Sequence, residues 1–181
     1  MDAADPPSDD LALVGRARGG DRDAFALLYE RHAPAVHGIL LSCAPRAEVG
    51  DLLQDVFLLA LRSIECLQDA SSFGPWLLTI ARNRARDLLR ARRPTIELEE
   101  GMDPSMNARL RVDEEQEAEA ALEAVRSLPE AYRETLVLRL VEGLSGPEIA
   151  ARTGMTHGSV RVNLCRGMKL LRERLGTGEG T

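Results

Sequence analysis

Apolar residues recur at steps of three and four through the first half of the chain, which is the period of amphipathic helices. The pattern predicts a helix that begins at Asp9, an interruption at Gly19-Gly20, and a second helix that Asp21 caps. Because proline lacks a backbone donor, Pro34 predicts the end of this helix, and a third, buried helix is predicted over 35–43.

Two more helices are predicted before residue 93. After a turn over 45–50, residues 51–67 place leucine and valine on one face and acidic and amide groups on the other. A loop over 68–74 then leads to a helix over 76–92, whose inner face is small and aliphatic.

The helical pattern fails over 94–121. This stretch contains two prolines, and it holds nine acidic residues against two arginines. Such a segment cannot bury much apolar surface, so we expect a flexible acidic linker. The predicted fold is therefore all-α, with two small helical domains over 1–93 and 122–181.

The C-terminal domain carries two matching helix-start signals, Ser127 with Glu130 and Ser145 with Glu148. In each, the serine oxygen can accept from an early helix N–H while the glutamate reaches back to the serine N–H. Gly154 is suited to a left-handed turn after the second signal. Thr156 can cap a longer helix over 157–175, and this succession predicts a DNA-binding helix-turn-helix.

Charge is distributed unevenly, although the net charge is −6. Residues 82–93 hold six arginines and one aspartate, and residues 161–174 hold five basic residues and one acid. Phosphate binding responds to such local fields rather than to the total charge. Both segments are therefore candidates for binding nucleic acid.

The cysteines and the hydropathy of the chain indicate where in the cell the protein acts. Cys43, Cys66 and Cys165 are far apart and odd in number, which argues against a disulfide framework and a zinc site. Cys43 is interpreted as a buried apolar side chain, with a redox sensor as the alternative. Because no apolar run approaches the length of a membrane span, we expect a cytoplasmic protein without membrane insertion. We also expect no metal or other cofactor.

Two sets of motifs resemble regions 2 and 4 of bacterial sigma factors. The stretches similar to region 2 are GDRDAF at 20–25, DLLQDVF at 51–57 and FGPWLLTIARNRARD at 73–87. Those similar to region 4 are LPEAYRETL at 128–136, EGLSGPEIAARTGM at 142–155 and GSVR at 158–161. A chain with only these two regions around a linker resembles the extracytoplasmic-function (ECF) group. The resemblance implies a factor that binds core RNA polymerase, recognises the −10 and −35 promoter elements, initiates transcription and is controlled by an anti-sigma factor.

The resemblance implies that the helix over 51–67 docks on the β′ subunit of polymerase, with the β subunit as a further partner. The implied docking residues are Asp51, Leu53, Gln54, Asp55 and Phe57. Acidic and amide groups that stand out from a buried stripe can pair with a basic partner surface. An ordinary solvated helix face is the alternative interpretation.

The next loop and helix would bind the −10 element, where a base is held out of the stack and the backbone is neutralised. The implied residues are Ser71, Ser72, Phe73, Trp76, Arg82, Asn83, Arg86, Asp87 and Arg90. Arg82, Arg86, Arg90 and Arg93, called the basic stripe below, lie within an arc of about 80° on the helix. Trp76 is interpreted as a core residue, with base stacking as the alternative.

The second helix of the helix-turn-helix would read the −35 element as duplex. The implied residues are Thr156, His157, Ser159, Arg161, Val162 and Arg166. Asn163 and Cys165 depart from the family pattern and leave the −35 preference open. The linker is either a tether or an acidic occupant of the RNA path of polymerase.

Strand opening by such a factor is driven by binding energy, so neither an enzyme nor a small-molecule substrate is expected. Two other functions compete with the sigma interpretation. One is a stand-alone helix-turn-helix regulator that uses residues 1–93 for sensing or dimerisation. The other is a protein that only sequesters polymerase or another factor.

Overall fold

The computed structural model describes residues 8–91 and 109–175, with side chains described over 10–91 and 118–175. In these ranges the regular secondary structure is helical, as predicted. The α-helices are α1 (Ser8–Arg18), α2 (Arg22–Cys43), α3 (Val49–Ser63), α4 (Phe73–Ala91), α5 (Arg109–Arg126), α6 (Glu130–Leu140), α7 (Gly146–Thr153) and α8 (His157–Arg174). Arg93 and the linker residues 94–108 lie outside the described residues.

Helix α2 begins as predicted, but it does not end at Pro34. The Asp21 side chain accepts hydrogen bonds from the amides of Asp23 and Ala24, which confirms the cap. The helix then continues through Pro34 to Cys43, so the prediction of a separate third helix is wrong.

Burial on both sides of Pro34 explains this continuity. Leu28 precedes the proline, Val36 and Ile39 follow it, and all three are completely buried in the same core. Each such side chain stabilises the fold by about 1.5–3 kcal/mol. Together they outweigh the cost of about 3 kcal/mol for a proline inside a helix.

Helices α2, α3 and α4 form the core of the first domain. Val56 of α3 and Leu77 of α4 are completely buried against α2. Helix α3 ends earlier than predicted, at Ser63, and a 3-10 turn over Ile64–Cys66 follows it. A second 3-10 turn over Ala70–Ser72 leads directly into α4, which begins at Phe73.

Helix α5 corrects the extent of the predicted linker. Residues 109–121 belong to this helix rather than to an irregular segment. Glutamate and alanine, which dominate its sequence, are good helix formers. In addition, the Arg126 guanidinium donates to Glu119 and Glu123 on preceding turns. The domain boundaries themselves remain predictions.

The predicted capping box at Ser127, the first helix-start signal of the C-terminal domain, is not formed. Pro129, not Ser127, is the cap residue of α6, and no side chain caps this end. The Ser127 hydroxyl instead donates to the carbonyl of Ala124 and accepts from Arg174. These partners use the hydroxyl that the capping box would have required.

The helix-turn-helix is formed as predicted. Ser145 and Glu148 make both hydrogen bonds of a capping box at the start of α7. Gly154 ends α7 in the left-handed conformation, with φ of 74°. The Thr156 hydroxyl then accepts from the amide of Ser159 and caps α8. Val160 in the first turn of α8 and Leu171 near its end are buried on the inner face of this helix.

The two domains pack against each other, which the sequence did not predict. Helix α6 lies along α2, and α7 contacts α4. A methyl group at Gly38 of α2 would lie 2.9 Å from Leu138 Cδ2 of α6. Glycine at position 38 therefore permits the close approach of the two helices.

Candidate polymerase and DNA interfaces

The predicted docking residues of α3 divide between surface and core. Asp51, Gln54 and Asp55 are exposed on one face, whereas Leu53 lies on the opposite side of the helix and packs, half-buried, against the core. Phe57 is only 4% exposed, and its ring lies 4.5 Å from that of Tyr29. The polar side chains are thus presented by a helix that Phe57 anchors to the core.

One of these carboxylates already has a cationic neighbour. The Arg84 guanidinium of α4 donates to Asp55, and both side chains are partly exposed. The docking face therefore adjoins α4, and Asp51, one turn earlier on α3, lines the same groove as Asp55 and Arg84.

The loop before α4 is organised by Asp69. Its carboxylate accepts from the hydroxyl and amide of Ser71 and from the hydroxyl of Ser72. The hydrogen bonds from Ser71 and Ser72 hold the pKa of Asp69 below its usual value. Ser71 is exposed, so its hydroxyl lies at the surface in a fixed orientation.

The two aromatic residues predicted for the −10 surface differ in burial. Phe73 is completely buried, with its ring 5.1 Å from that of His32. Trp76 is half-buried, and its ring lies 5.7 Å from that of Phe73. Trp76 therefore packs partly on the core, as predicted, while part of its ring reaches the surface.

The side chains of α4 that were predicted to bind the −10 element differ in their exposure. Asn83, Arg86, Asp87 and Arg90 are exposed, whereas Arg82 is half-buried. An Arg90 nitrogen lies 3.6 Å from an Asp87 oxygen, one turn earlier on the helix.

Two arginines of the basic stripe, Arg82 and Arg86, pair with acidic residues of α6. The Nε and Nη2 of Arg82 donate to the two oxygens of Glu134, each at 2.8 Å. This hydrogen-bonded carboxylate raises the pKa of Arg82. Arg86 Nη2 donates to Glu130 over 3.2 Å.

All six residues predicted for the −35 element lie on the exposed side of α8. They are Thr156, His157, Ser159, Arg161, Val162 and Arg166. Thr156 also serves as the helix cap, and its hydroxyl lies 2.8 Å from that of Ser159. The open face combines cations, hydroxyls and one apolar side chain, which suits contact with a duplex groove.

Comparison with known proteins supports both halves of this description. The Sigma-70 region 2 model matches residues 28–95, and the Sigma-70 region 4 model matches residues 118–171. The chain is 38% identical to the RNA polymerase sigma factor CarQ of Myxococcus xanthus over 175 residues, covering 89% of this chain and 94% of CarQ. The chain belongs to the sigma-70 family. It is also 32% identical to the ECF RNA polymerase sigma-E factor of Haemophilus influenzae over 179 residues, covering 92% and 95% of the two chains, and it is a member of the ECF group.

Solved structures show the same fold. CnrH, in complex with the cytosolic domain of CnrY, superposes with a TM-score of 0.62 at 28% identity, covering 94% of this chain and 99% of CnrH. The sigma factor RpoE of Bartonella quintana, in complex with the anti-sigma factor NepR, gives a TM-score of 0.53 at 20% identity, covering 86% of this chain and 98% of that one. The second likeness is one of fold alone.

Sequence reasoning missed the acidic side of the interface between the two domains of this sigma factor. Glu130 and Glu134 were part of the region 4 motif, but nothing marked them as partners of α4. Their spacing of four residues places them on one face of α6, which matches the spacing of Arg82 and Arg86. That correspondence was the available signal.

Both histidines of α2 contact acidic side chains. His32 Nε2 lies 2.8 Å from Asp10, and burial lowers the pKa of this histidine. His37 Nδ1 lies 2.6 Å from Glu142, which follows α6 in the other domain. His37 thus contributes to the contact between the domains.

Cys43 is partly buried and packs against the core, and this burial raises the pKa of its thiol. No three His, Cys, Asp or Glu side chains among the described residues are arranged to hold a metal ion. None of the helices in residues 8–91 and 109–175 has the length and apolar content to cross a bilayer.

Proposed function

We propose that this ECF sigma factor directs core RNA polymerase to its promoters through three surfaces. The docking face consists of Asp51, Gln54 and Asp55 on α3. The −10 surface comprises α4 and the loop before it, and the −35 face is the exposed side of α8. The observation that supports this division is that two separate helices, α4 and α8, expose cations, while α3, which packs on α4, exposes acids.

The docking face would bind a basic surface of the β′ subunit. Carboxylates and an amide that project from a rigid helix complement such a surface and speed its encounter. Leu53 lies on the inner side of α3 and would support this face from the core. Phe57 would act indirectly, because its buried ring fixes the position of the helix.

The −10 surface would hold a melted strand. The Ser71 and Ser72 hydroxyls and the Asn83 amide can contact base edges, and the arginines of α4 can bind the backbone. Trp76 is half-buried next to this loop, where its exposed edge could contact a base. Phe73 would shape the surface from within the core.

The −35 face would bind duplex DNA. Arg161 and Arg166 can reach base edges or phosphates, and Val162 can contact a thymine methyl group. Asn163 and Cys165, where the chain departs from the family pattern, flank these positions and would tune the preferred sequence.

We propose further that the protein acts in the cytoplasm and is not an enzyme. Polymerase would supply the chemistry, and DNA binding would supply the energy for strand opening. An anti-sigma factor is the proposed regulator, because the sigma factor RpoE of Bartonella quintana, whose fold this chain shares, was solved with the anti-sigma factor NepR. The acidic linker would be either a tether or an occupant of the RNA path.

The proposed function is tested by adding the purified protein to core RNA polymerase with genomic DNA and mapping transcript starts. We expect starts that share two upstream elements. An absence of specific starts would contradict the proposal.

Paired variants test the division of labour on a promoter found in this way. Arg86→Ala with Arg90→Ala should reduce melting of the −10 region, measured by permanganate reactivity, more than it reduces duplex binding at −35. Arg161→Ala with Arg166→Ala should reverse this pattern. A stand-alone regulator, or a protein that only sequesters polymerase, would show no such split.

A further inference from the structure

The loop before α4 presents two serine hydroxyls whose protons are already used. Ser71 Oγ lies 2.7 Å from each carboxylate oxygen of Asp69, and Ser72 Oγ lies 3.0 Å from one of them. An ionised carboxylate only accepts hydrogen bonds, and a serine hydroxyl has a single proton. Both serines therefore donate to Asp69, and the lone pairs that remain on their oxygens can only accept.

Asp69 keeps its negative charge in this arrangement. The hydrogen bonds from the hydroxyl and amide of Ser71, and then from Ser72, lower the pKa of the Asp69 carboxyl. Hydrogen bonds to a charged acceptor are stronger than neutral ones, so the serine protons are held firmly. A DNA phosphate would have to take these protons from Asp69, whose charge repels it. The loop is therefore poorly suited to binding the DNA backbone.

Contacts at both ends fix the position of this loop. Arg18 of α1 donates from Nε to the carbonyl of Ile64 over 3.1 Å, and its Nη2 donates to the carbonyl of Leu67. At the other end, Phe73 is completely buried in the core. The acceptor oxygens are thus held in place before a strand arrives, which lowers the cost of binding and favours a base of matching polarity.

The cations of the −10 surface lie on α4 rather than in the loop. Arg86 and Arg90 are exposed there and can bind the backbone of a melted strand. Thr79 is exposed two turns before Arg86, on the same side of the helix. Its hydroxyl donates inward to the carbonyl of Pro75 over 2.9 Å, so it too presents lone pairs. The surface therefore offers cations for the backbone and acceptors for the bases.

We propose that Asp69 sets the base preference of the −10 surface, because it turns the loop into an acceptor site that selects a base with an exocyclic amino group and rejects thymine. The inference rests on the proposed role of this loop in −10 binding. Cytosine N4 and adenine N6 are amino donors, whereas thymine presents a carbonyl oxygen in the equivalent place. Asp69 acts on the base through Ser71 and Ser72, and it is therefore a positioning residue.

The first test compares the binding of the full chain, without polymerase, to fluorescent oligo(dC) and oligo(dT) strands of equal length. Fluorescence anisotropy should show about fivefold tighter binding of oligo(dC), which corresponds to one net hydrogen bond. A strand of 2-pyrimidinone, which is cytosine without its amino group, should bind no better than oligo(dT). Equal binding of the oligo(dC) and 2-pyrimidinone strands would overturn the proposal. Undetectable binding of all three strands would overturn it as well, because the loop is already formed in the free chain.

Asp69→Asn tests the carboxylate without removing the turn. The asparagine oxygen can still accept from the Ser71 amide, as Asp69 Oδ1 does at 2.9 Å. The asparagine nitrogen is a donor, however, so the Ser72 hydroxyl loses its acceptor. We expect the ratio of oligo(dC) to oligo(dT) affinity to fall to about one. Glu65→Gln removes the same charge from an exposed position in the 3-10 turn over Ile64–Cys66 and should leave this ratio unchanged.

The affinity ratio also separates base selection from a purely structural role. If Asp69 were only the cap of the turn over Ala70–Ser72, Asp69→Asn would change the binding of both strands equally, and that result would overturn the proposal. Ser71→Ala removes one acceptor and should lower the ratio while helical circular dichroism is retained. An unchanged ratio in this variant would contradict the role of the serine.

The outcome of these assays is independent of transcription. None of them uses polymerase or a promoter, so a missing base preference would leave promoter-directed initiation standing. Conversely, a failure to initiate at specific sites would leave the amino-base preference of the loop intact.

Discussion

Gly154 offers a quantitative test of how the two domains pack. It is the left-handed residue of the helix-turn-helix, with φ of 74°, and a Cβ atom there would lie 3.0 Å from Cγ of Pro75 in the first turn of α4. Gly154→Ala therefore combines a local backbone strain with a clash between domains. Gly143→Ala isolates the first effect, because Gly143 has φ of 68° and open space around its Cβ position.

The magnitudes follow from these two geometries. An alanine in the left-handed region costs about 1–2 kcal/mol, and the lower entropy of the unfolded chain returns about 0.4–1 kcal/mol. We expect Gly143→Ala to lower the free energy of unfolding by about 1 kcal/mol. At Gly154 the contact with Pro75 is at least ~0.5 Å shorter than an optimal carbon–carbon distance, and such overpacking adds about 1–3 kcal/mol.

The assay is urea and thermal unfolding followed by circular dichroism. For a chain of this size, Gly143→Ala should lower Tm by about 3 °C and Gly154→Ala by about 8 °C. Gly15→Ala, in the middle of α1 with open space around its Cβ position, should raise stability by about 0.5–1 kcal/mol. Equal losses at positions 143 and 154 would refute the packing of α7 against α4, because only that packing distinguishes the two sites.

Three further outcomes are expected. Ser145→Ala should cost about 1 kcal/mol in unfolding free energy, because it removes the capping box of α7; a loss below ~0.3 kcal/mol would contradict the importance of this cap. Stability should fall as the pH drops below 6.5, the ordinary pKa of histidine, because burial lowers the pKa of His32 and only the unfolded chain then takes up the proton. His32→Gln, which can still donate to Asp10, should reduce the change in the urea midpoint between pH 7.5 and 5.5. If the midpoint changes as much in this variant as in the wild type, His32 is not the cause of the pH dependence. Asp51→Arg should weaken binding to core polymerase about tenfold in a fluorescence titration, whereas Glu30→Arg on α2 should not; equal losses would point to net charge instead of the docking face.

Local signals were the part of the fold that the sequence could predict. Asp21, Ser145, Gly154 and Thr156 each act within three residues of their position, and the structure confirms all four. Pro34 failed as a signal, because burial on both sides of it depends on distant helices that no local pattern contains.

The candidate sites divide in the same way. The exposed face of α8 and the exposed polar residues of α3 follow from helical periodicity and from the family resemblance. The pairing of Arg82 with Glu134 does not, because the two residues are 52 positions apart and meet only when the domains pack. A residue assigned to DNA by its charge and spacing thus proved to have a protein partner as well.

Arg82 binds Glu134 of the other domain and is also proposed to bind promoter DNA, which affects how its variants can be interpreted. Substituting this arginine would weaken both the packing of the two domains and the proposed binding of DNA. A screen for transcription activity could not tell these two effects apart. Glu134 contributes to the packing of the domains alone. A comparison of variants at positions 82 and 134 therefore separates the loss of packing from the loss of DNA binding.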